Sequence, residues 1–321
     1  MMRGRYAPTP SGPLHIGNVG TALLAWLQVR SAGGTFILRM EDLDAPRSKK
    51  EYADQILADL KWLGIDWDEG PEVGGPFAPY GQSARYDKYS KAFDQLQEDG
   101  WLYPCFCSRK DLRQIASAPH GRQSEGAVYP GICRHLSAEE RKEKAKAKPP
   151  AYRFAVPDTE LTFVDGVMGR QTFPAGFGGD FVVKRADAIF SYQLAVVVDD
   201  ALMKITDVLR GADLLDSTPR QIFLYEALGY PIPRFAHVPL FYGPDGHRLS
   251  KRHGERVTIP ALRDEGVKPE VIVGVLAYLY RLIDQPEPVK ASELVQTFDL
   301  ASITKQPVVL DDQMLKLFKL G

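Results

Sequence analysis

The chain has little of what would mark a secreted, membrane-embedded or nucleic-acid-coating protein. Only three cysteines occur in 321 residues, all between positions 105 and 133. An odd, clustered set argues against a disulfide framework and suits a metal site instead. No apolar run approaches the ~20 residues of a membrane span; the longest, Val271 to Tyr280, ends at Arg281. The first residues, Met1-Met2-Arg3-Gly4-Arg5, lead into Tyr6-Ala7-Pro8-Thr9-Pro10 rather than the apolar stretch of a secretory signal, so the expected compartment is the cytoplasm. Excess charge is also lacking. Forty Lys+Arg against 41 Asp+Glu give a net of −1, which argues against coating nucleic acid by bulk electrostatics while leaving room for local basic patches. Internal repeats and low-complexity tracts are missing as well.

What remains is the composition of a globular protein, 44% hydrophobic and 25% charged, with a length that suits about two domains. Glycine and proline, 28 and 24 residues, are richer than usual, so loops should be numerous. The first hundred residues alternate between strand and helix patterns. Arg3 to Ala7 reads as a strand, Ile16 to Val29 as a helix closed by Gly33-Gly34, and Thr35 to Met40 as a second strand. Residues 49–63 and 83–99 carry helical apolar spacing. Such alternation predicts a doubly wound parallel sheet. From Trp101 to about Arg185 the pattern changes to cysteines, a lysine-rich stretch at Arg141 to Lys148, and short strands at Tyr152 to Val156 and Phe181 to Lys184. The α/β pattern then returns, with helices at Leu194 to Met203 and Leu214 to Leu228 and strands at Lys204 to Leu209 and Ala236 to Phe241. The economical reading is a nucleotide-binding domain split by an insertion. Helical segments follow at Ile259 to Asp264, Pro269 to Leu282 and Ala291 to Phe298.

Two loops carry chemistry. Pro8 to Asn18 lies between the first strand and first helix, where exposed N–H groups and the helix dipole favour a phosphate. His15 and Asn18, three apart, share one helix face and would aim two donors at one phosphate; the plainer reading makes His15 a helix cap. The second loop, Gly246 to Gly254, follows the last strand, where ligands of open α/β sheets bind, and holds Arg248, Ser250, Lys251 and Arg252.

His15-Ile16-Gly17-Asn18 and Arg248-Leu249-Ser250-Lys251-Arg252, in this order and about 230 residues apart, resemble the HIGH and KMSKS motifs of class I aminoacyl-tRNA synthetases. Asn18 and Arg248 depart from those patterns but keep donor capacity. Arg5 to Gly12, Arg39 to Asp44 and Val208 to Gln221 are similar to the glutamyl branch. The chain stops without the helical anticodon-binding region of a complete glutamyl-tRNA synthetase, and in this it resembles the glutamyl-queuosine tRNA(Asp) synthetases. Two other readings stay open: a catalytic fragment of a glutamyl-tRNA synthetase charging the tRNA 3′ end, and an RNA- or nucleotide-binding paralogue without the reaction.

The resemblance implies an α/β class I synthetase fold, a Rossmann-type parallel sheet split by a zinc-bearing insertion and followed by a small helical segment. It divides the chain into residues 1–100, an acceptor-type insertion at 101–185, 186–242, and a loop with a helical stem-contact region at 243–321. It implies activation of L-glutamate by ATP with Mg²⁺ and transfer to queuosine-containing tRNA(Asp), with no membrane and no stable protein partner. His15, Asn18 and Lys251 would be catalytic, and Pro8, Gly17, Ser250 and Lys251 would bind ATP. Arg5 and Arg210 would clamp carboxylates, Glu41 would accept from the ammonium, and Ala7, Thr9 and Tyr192 would complete the glutamate site. Without the resemblance, Arg5 reads as a strand-end ion pair and Glu41 as a partner of Arg39. In Cys105-x-Cys107 and Tyr129-x3-Cys133, three thiolates and a fourth ligand suit a structural Zn²⁺. The resemblance makes Tyr129 the fourth, general metal chemistry offers His120 or His135, and three buried thiols are the plain alternative.

Overall fold

The elements follow the expected alternation. Their order begins β1 (Arg3–Tyr6), α1 (Ile16–Ser31), β2 (Thr35–Leu38), α2 (Lys50–Trp62) and α3 (Tyr86–Glu98). Next come β3 (Leu102–Cys105), α4 (Ala138–Ala147), β4 (Ala151–Phe154), β5 (Leu161–Asp165), β6 (Gly169–Phe173) and β7 (Phe181–Lys184). The chain continues with α5 (Tyr192–Leu202), β8 (Asp207–Gly211), α6 (Thr218–Ala227), β9 (Arg234–Val238) and β10 (Phe241–Tyr242). It closes with α7 (Ile259–Asp264), α8 (Pro269–Leu279), β11 (Val308–Val309) and α9 (Asp312–Leu317). The structure, a computed structural model, describes residues 1–108, 111, 129–243, 245 and 257–318.

The central sheet has the order β2-β1-β8-β9, all parallel. Strands from before and after residues 101–185 therefore hydrogen-bond in one sheet. Successive residues alternate between two cores: Leu38, Leu209 and Ala236 pack on the α1 and α8 side, while Ile37, Val208 and Phe235 pack on the α3, α5 and α6 side. Covering on both faces is what a parallel sheet requires. The β8–β9 register places Arg210 directly opposite His237, so the two side chains leave the same face of the sheet.

Residues 102–184 add an antiparallel sheet, β3-β4-β7, and the hairpin β5-β6. The hairpin turn leans on the central sheet, where Gly166 N–H donates to the Phe235 carbonyl at 2.8 Å. Helix α4 buries no residue and is held by a capping box between Ser137 and Glu140, so the lysine-rich stretch is a solvated helix. No helix of the described residues is long and apolar enough to cross a membrane.

Three sequence boundaries are corrected. The strand expected from Lys204 begins at Asp207, because Lys204 takes φ +56° at the end of α5, a conformation that no strand residue adopts. The strand expected at Ala236 to Phe241 is β9, from Arg234 to Val238, followed by the separate pair β10–β11. The helix expected at Ala291 to Phe298 is a single 3₁₀ turn, Ala291–Leu294.

The α8 helix shows how tightly the C-terminal elements are fitted. A Cβ at Gly274 would sit 1.8 Å from the Glu287 carbonyl oxygen. Alanine gains roughly 1 kcal/mol of helix propensity over glycine, but moving backbone to relieve such a clash costs about 1–3 kcal/mol or more. Gly274→Ala should therefore lower the melting temperature in a thermal scan; a raised one would show that the 287 segment yields freely.

Candidate active site

Helix α1 starts at the mouth of a cavity of ≈ 630 Å³ at the carboxyl ends of β1 and β8. His15 is its N-cap, in extended conformation, and its Nδ1 accepts from the backbone N–H groups of Gly17 at 3.1 Å and Asn18 at 3.4 Å. Asn18 returns the bond, its Oδ1 accepting from His15 N–H at 3.3 Å. His15 is thus both a cap and a cavity residue: it stands one position outside the helix, and its bonds with Asn18 keep the two beside each other at the cavity. With Nδ1 accepting, the neutral ring carries its proton on Nε2, so His15 Nε2–H and the Asn18 amide N–H are what this helix start offers an anion. Gly17 keeps the ring seated, since a Cβ there would come within 3.1 Å of it.

The cavity gathers Arg5, Ala7, Pro8, Thr9, His15, Gly17, Asn18, Glu41, Tyr192 and Arg210 into one lining, although they span more than half the chain. Ser250 and Lys251, with Arg248 and Arg252, lie outside the described residues. On either side of that segment, Phe241 lines the cavity and Thr258 bridges to His15, with Ile259 N–H donating to the Leu14 carbonyl at 2.9 Å.

The floor is a buried charge network. Asp200, from α5, accepts from Arg5 Nε at 3.2 Å and from Arg39 Nη1 at 2.6 Å. Arg39 also donates through Nη2 to Glu41 Oε1 at 3.1 Å. Burial opposes ionisation of Asp200, yet Arg5 and Arg39 outweigh it and hold its carboxyl below the usual range. Glu41 goes the other way, because burial raises it further than Arg39 and Arg5 lower it. Both plain readings are therefore present alongside the cavity positions: Arg5 is ion-paired and Glu41 does partner Arg39. Beneath them, Asp199 accepts from Arg85 Nε at 2.6 Å, Tyr89 Oη at 2.8 Å and Gln82 Nε2 at 2.9 Å. Asp42 serves structure, accepting from Ser83 N–H at 2.8 Å, and Asp44 pairs with exposed Arg47.

Arg210 differs from its neighbours. It is buried, and among the described residues no carboxylate pairs with it. Its Nε donates to His237 Nε2 at 3.0 Å, Nη1 to Gln221 Oε1 at 2.7 Å, and Nη2 to Thr218 Oγ1 at 2.9 Å and the Leu214 carbonyl at 3.3 Å. Burial, with the nearby Arg5 charge, presses its pKa below the ordinary guanidinium value. Arg5 and Arg39 thus meet carboxylates directly, at Asp200 and Glu41, whereas Arg210 meets only neutral acceptors, and the Asp165 carboxylate reaches it only through the His237 ring.

A separate cluster holds Cys105, Cys107 and Cys133, whose sulfurs lie within 4.8 Å of one another, all three as free thiols. Cys107 and Cys133 sulfurs are 3.7 Å apart, and the Tyr129 hydroxyl lies 3.5 Å from Cys105 and 3.4 Å from Cys107. A tetrahedral zinc with bonds of about 2.3 Å to sulfur needs ligand separations of about 3.8 Å, so the four atoms fit such an ion. The Arg153 guanidinium lies 3.8 Å from the Tyr129 ring centre and donates to Cys105 Sγ at 3.3 Å, a cation placed to offset the charge of several thiolates. His135 is exposed and outside the cluster, and His120 lies outside the described residues.

Sequence reasoning missed Asp199, Asp200, Asp165 and His237. None sits in a recognisable local motif, and each acts across more than 60 residues of chain.

Residues 1–317 match the family described as tRNA synthetases class I (E and Q), catalytic domain. The chain belongs to that family. A Glutamyl-Q tRNA(Asp) synthetase of Symbiobacterium thermophilum is 61% identical over 309 residues, which cover 96% of this chain and 95% of that protein. One from Nitratidesulfovibrio vulgaris is 48% identical, covering 100% and 99%. A glutamate-tRNA ligase of a Sulfurihydrogenibium species is 43% identical over 98% of this chain but only 66% of its own length. Among solved structures, the glutamate-tRNA synthetase of Elizabethkingia anophelis superposes with a TM-score of 0.87 at 33% identity, over 99% of this chain and 69% of that one.

His237 makes the site's pH dependence calculable. Burial holds its pKa down to about 4 in the fold, with Arg210 acting in the same direction against the Asp165 bond, whereas the unfolded ring titrates near 6.5. Between these values the unfolded chain binds the extra proton, so this stability is full above pH 6.5 and is lost as pH falls. The loss amounts to about 2 kcal/mol between pH 7 and pH 5. His237→Gln, which cannot titrate, should lose that much less than the wild type over the same span in denaturant unfolding; equal losses would remove His237 as the cause.

Proposed function

We propose that the protein activates L-glutamate with ATP and transfers the glutamyl group to the queuosine base in the anticodon of tRNA(Asp). The observation that carries the reading is Arg210, a buried cavity guanidinium whose partners among the described residues are all neutral. A ligand carboxylate supplies the direct charged partner that Arg210 lacks among the described residues, whereas an amide such as glutamine offers only another neutral acceptor. Near-full-length similarity to two Glutamyl-Q tRNA(Asp) synthetases supports the choice of acceptor over the tRNA 3′ end.

The chemistry needs positioning rather than a protein nucleophile. A carboxylate oxygen of glutamate attacks the α-phosphorus of ATP, the bond to pyrophosphate breaks, and glutamyl-adenylate results. A nucleophilic group of the queuosine base then takes the acyl group and AMP leaves. Arg5 and Arg210 hold the substrate's carboxylates, Glu41 accepts from its ammonium, and Ala7, Thr9 and Tyr192 line the remainder. His15 and Asn18 present N–H donors to the nucleotide phosphates beside Pro8 and Gly17, and Ser250 and Lys251 act on the same phosphates. Mg²⁺, bound with ATP, would supply neutralisation of phosphate charge. Cys105, Cys107, Tyr129 and Cys133 would hold a structural Zn²⁺, which would tie β3 to the segment around Tyr129 and Cys133. In this reading residues 1–100 and 186–242 form the catalytic domain, 101–185 the zinc-bearing insertion, and 243–321 the loop and stem-contact region.

Labelled glutamate, ATP, Mg²⁺ and queuosine-containing tRNA(Asp), followed by nuclease digestion, test the proposal. Label should appear on the anticodon fragment and survive removal of the 3′ CCA end; label confined to the terminal adenosine would overturn it in favour of 3′-end charging. Pyrophosphate exchange with glutamate should proceed without tRNA, and its absence under every condition would leave only a binding role. For the metal, Cys107→Ser should lose about one equivalent of zinc by elemental analysis and melt at a lower temperature. A metal-free wild type of unchanged stability would refute the zinc assignment.

A further inference from the structure

The groups that touch Arg210 are neutral acceptors, and the most constrained of these is His237. The ring's Nε2 accepts from Arg210 Nε at 3.0 Å and lies 3.2 Å from Thr218 Oγ1, while Nδ1 lies 2.6 Å from Asp165 Oδ2. Nε2 can accept from an arginine only if the ring proton is on Nδ1, and the Asp165 carboxylate is what holds it there. The other oxygen of Asp165 is committed as well: Oδ1 accepts from the backbone N–H groups of Val167 at 2.9 Å, Met168 at 2.8 Å and His237 at 3.0 Å. Both residues are buried. The carboxylate therefore has a fixed orientation, the ring a fixed tautomer, and Arg210 a neutral acceptor in direct contact, with the Asp165 carboxylate held one ring away.

We propose that Asp165 and His237 are positioning residues for Arg210, a relay that aims its guanidinium while giving it a neutral contact in place of a carboxylate, and so set selectivity for a substrate carboxylate. The inference rests on the glutamate reading above for the identity of that carboxylate. Asp165 comes from the β5-β6 hairpin, so the insertion between the two halves of the parallel sheet contributes directly to amino-acid selection.

The isosteric change Asp165→Asn separates aiming from folding. The three backbone donors keep the amide oxygen at the Oδ1 position, which turns the new NH₂ toward His237 Nδ1. The ring proton must then move to Nε2, where it meets Arg210 Nε–H donor against donor. Nitrogen-15 NMR should find the His237 proton on Nδ1 in the wild type and on Nε2 in Asp165→Asn. In glutamate-dependent pyrophosphate exchange, Asp165→Asn should raise the glutamate KM tenfold or more while moving the ATP KM less than about threefold. His237→Gln, whose side-chain carbonyl can still accept from Arg210, should keep its glutamate KM at least fivefold below that of His237→Leu, and this pair decides the question if Asp165→Asn does not fold. A proton on Nε2 in the wild type, an unmoved glutamate KM in Asp165→Asn, or equal damage from Gln and Leu would overturn the relay. A wild type that exchanges pyrophosphate with no amino acid would instead overturn the glutamate reading, with the NMR result still judging the tautomer.

Discussion

The carboxylate of Asp200 is the interaction on which the rest of the site depends. It reaches from α5 to Arg5 on β1 and to Arg39 beyond the end of β2, joining positions separated by 195 and 161 residues. Buried ion pairs are expensive to assemble, and removing one partner leaves a charge stranded without water. The sheet can therefore hold Arg5 and Arg39 at its carboxyl end only while Asp200 is in place. Asp199, one position earlier, repeats the arrangement with Arg85, Tyr89 and Gln82, so one helical turn anchors two layers of charge.

The same helix-terminal economy explains His15. A histidine at an N-cap and a histidine facing a ligand looked like competing roles in the sequence. They are compatible because the two ring nitrogens do different work: Nδ1 satisfies the first turn of α1, and that commitment fixes the proton on Nε2. Capping is thus what prepares the ring as a donor.

The parallel sheet and most of the cavity were legible in the sequence because their signals are local. Strand and helix periods gave β1, α1 and β2, the loop before α1 pointed to His15, Gly17 and Asn18, and only the resemblance to the glutamyl branch brought in Arg5 and Glu41; all five line the cavity. Asp165, His237, Asp199 and Asp200 were not legible, since an aspartate in a hairpin or on an apolar helix carries no period that announces its partner. Boundaries failed where backbone conformation overrode composition, as at Lys204, and where an apolar stretch near Ala291 lacked the length to propagate a helix.

One consequence follows from the β8–β9 register. Arg210 and His237 face each other because the hydrogen-bond ladder pairs them, at the strand separation of about 4.8 Å common to all sheets. Their spacing is inherited from the backbone rather than from any loop. Loops at the cavity rim can lengthen, shorten or change sequence without disturbing it, and a slip of one residue would cost the whole ladder. The distance between the Arg210 guanidinium and the ring that accepts from it is thus a property of the ladder, set by the sheet itself.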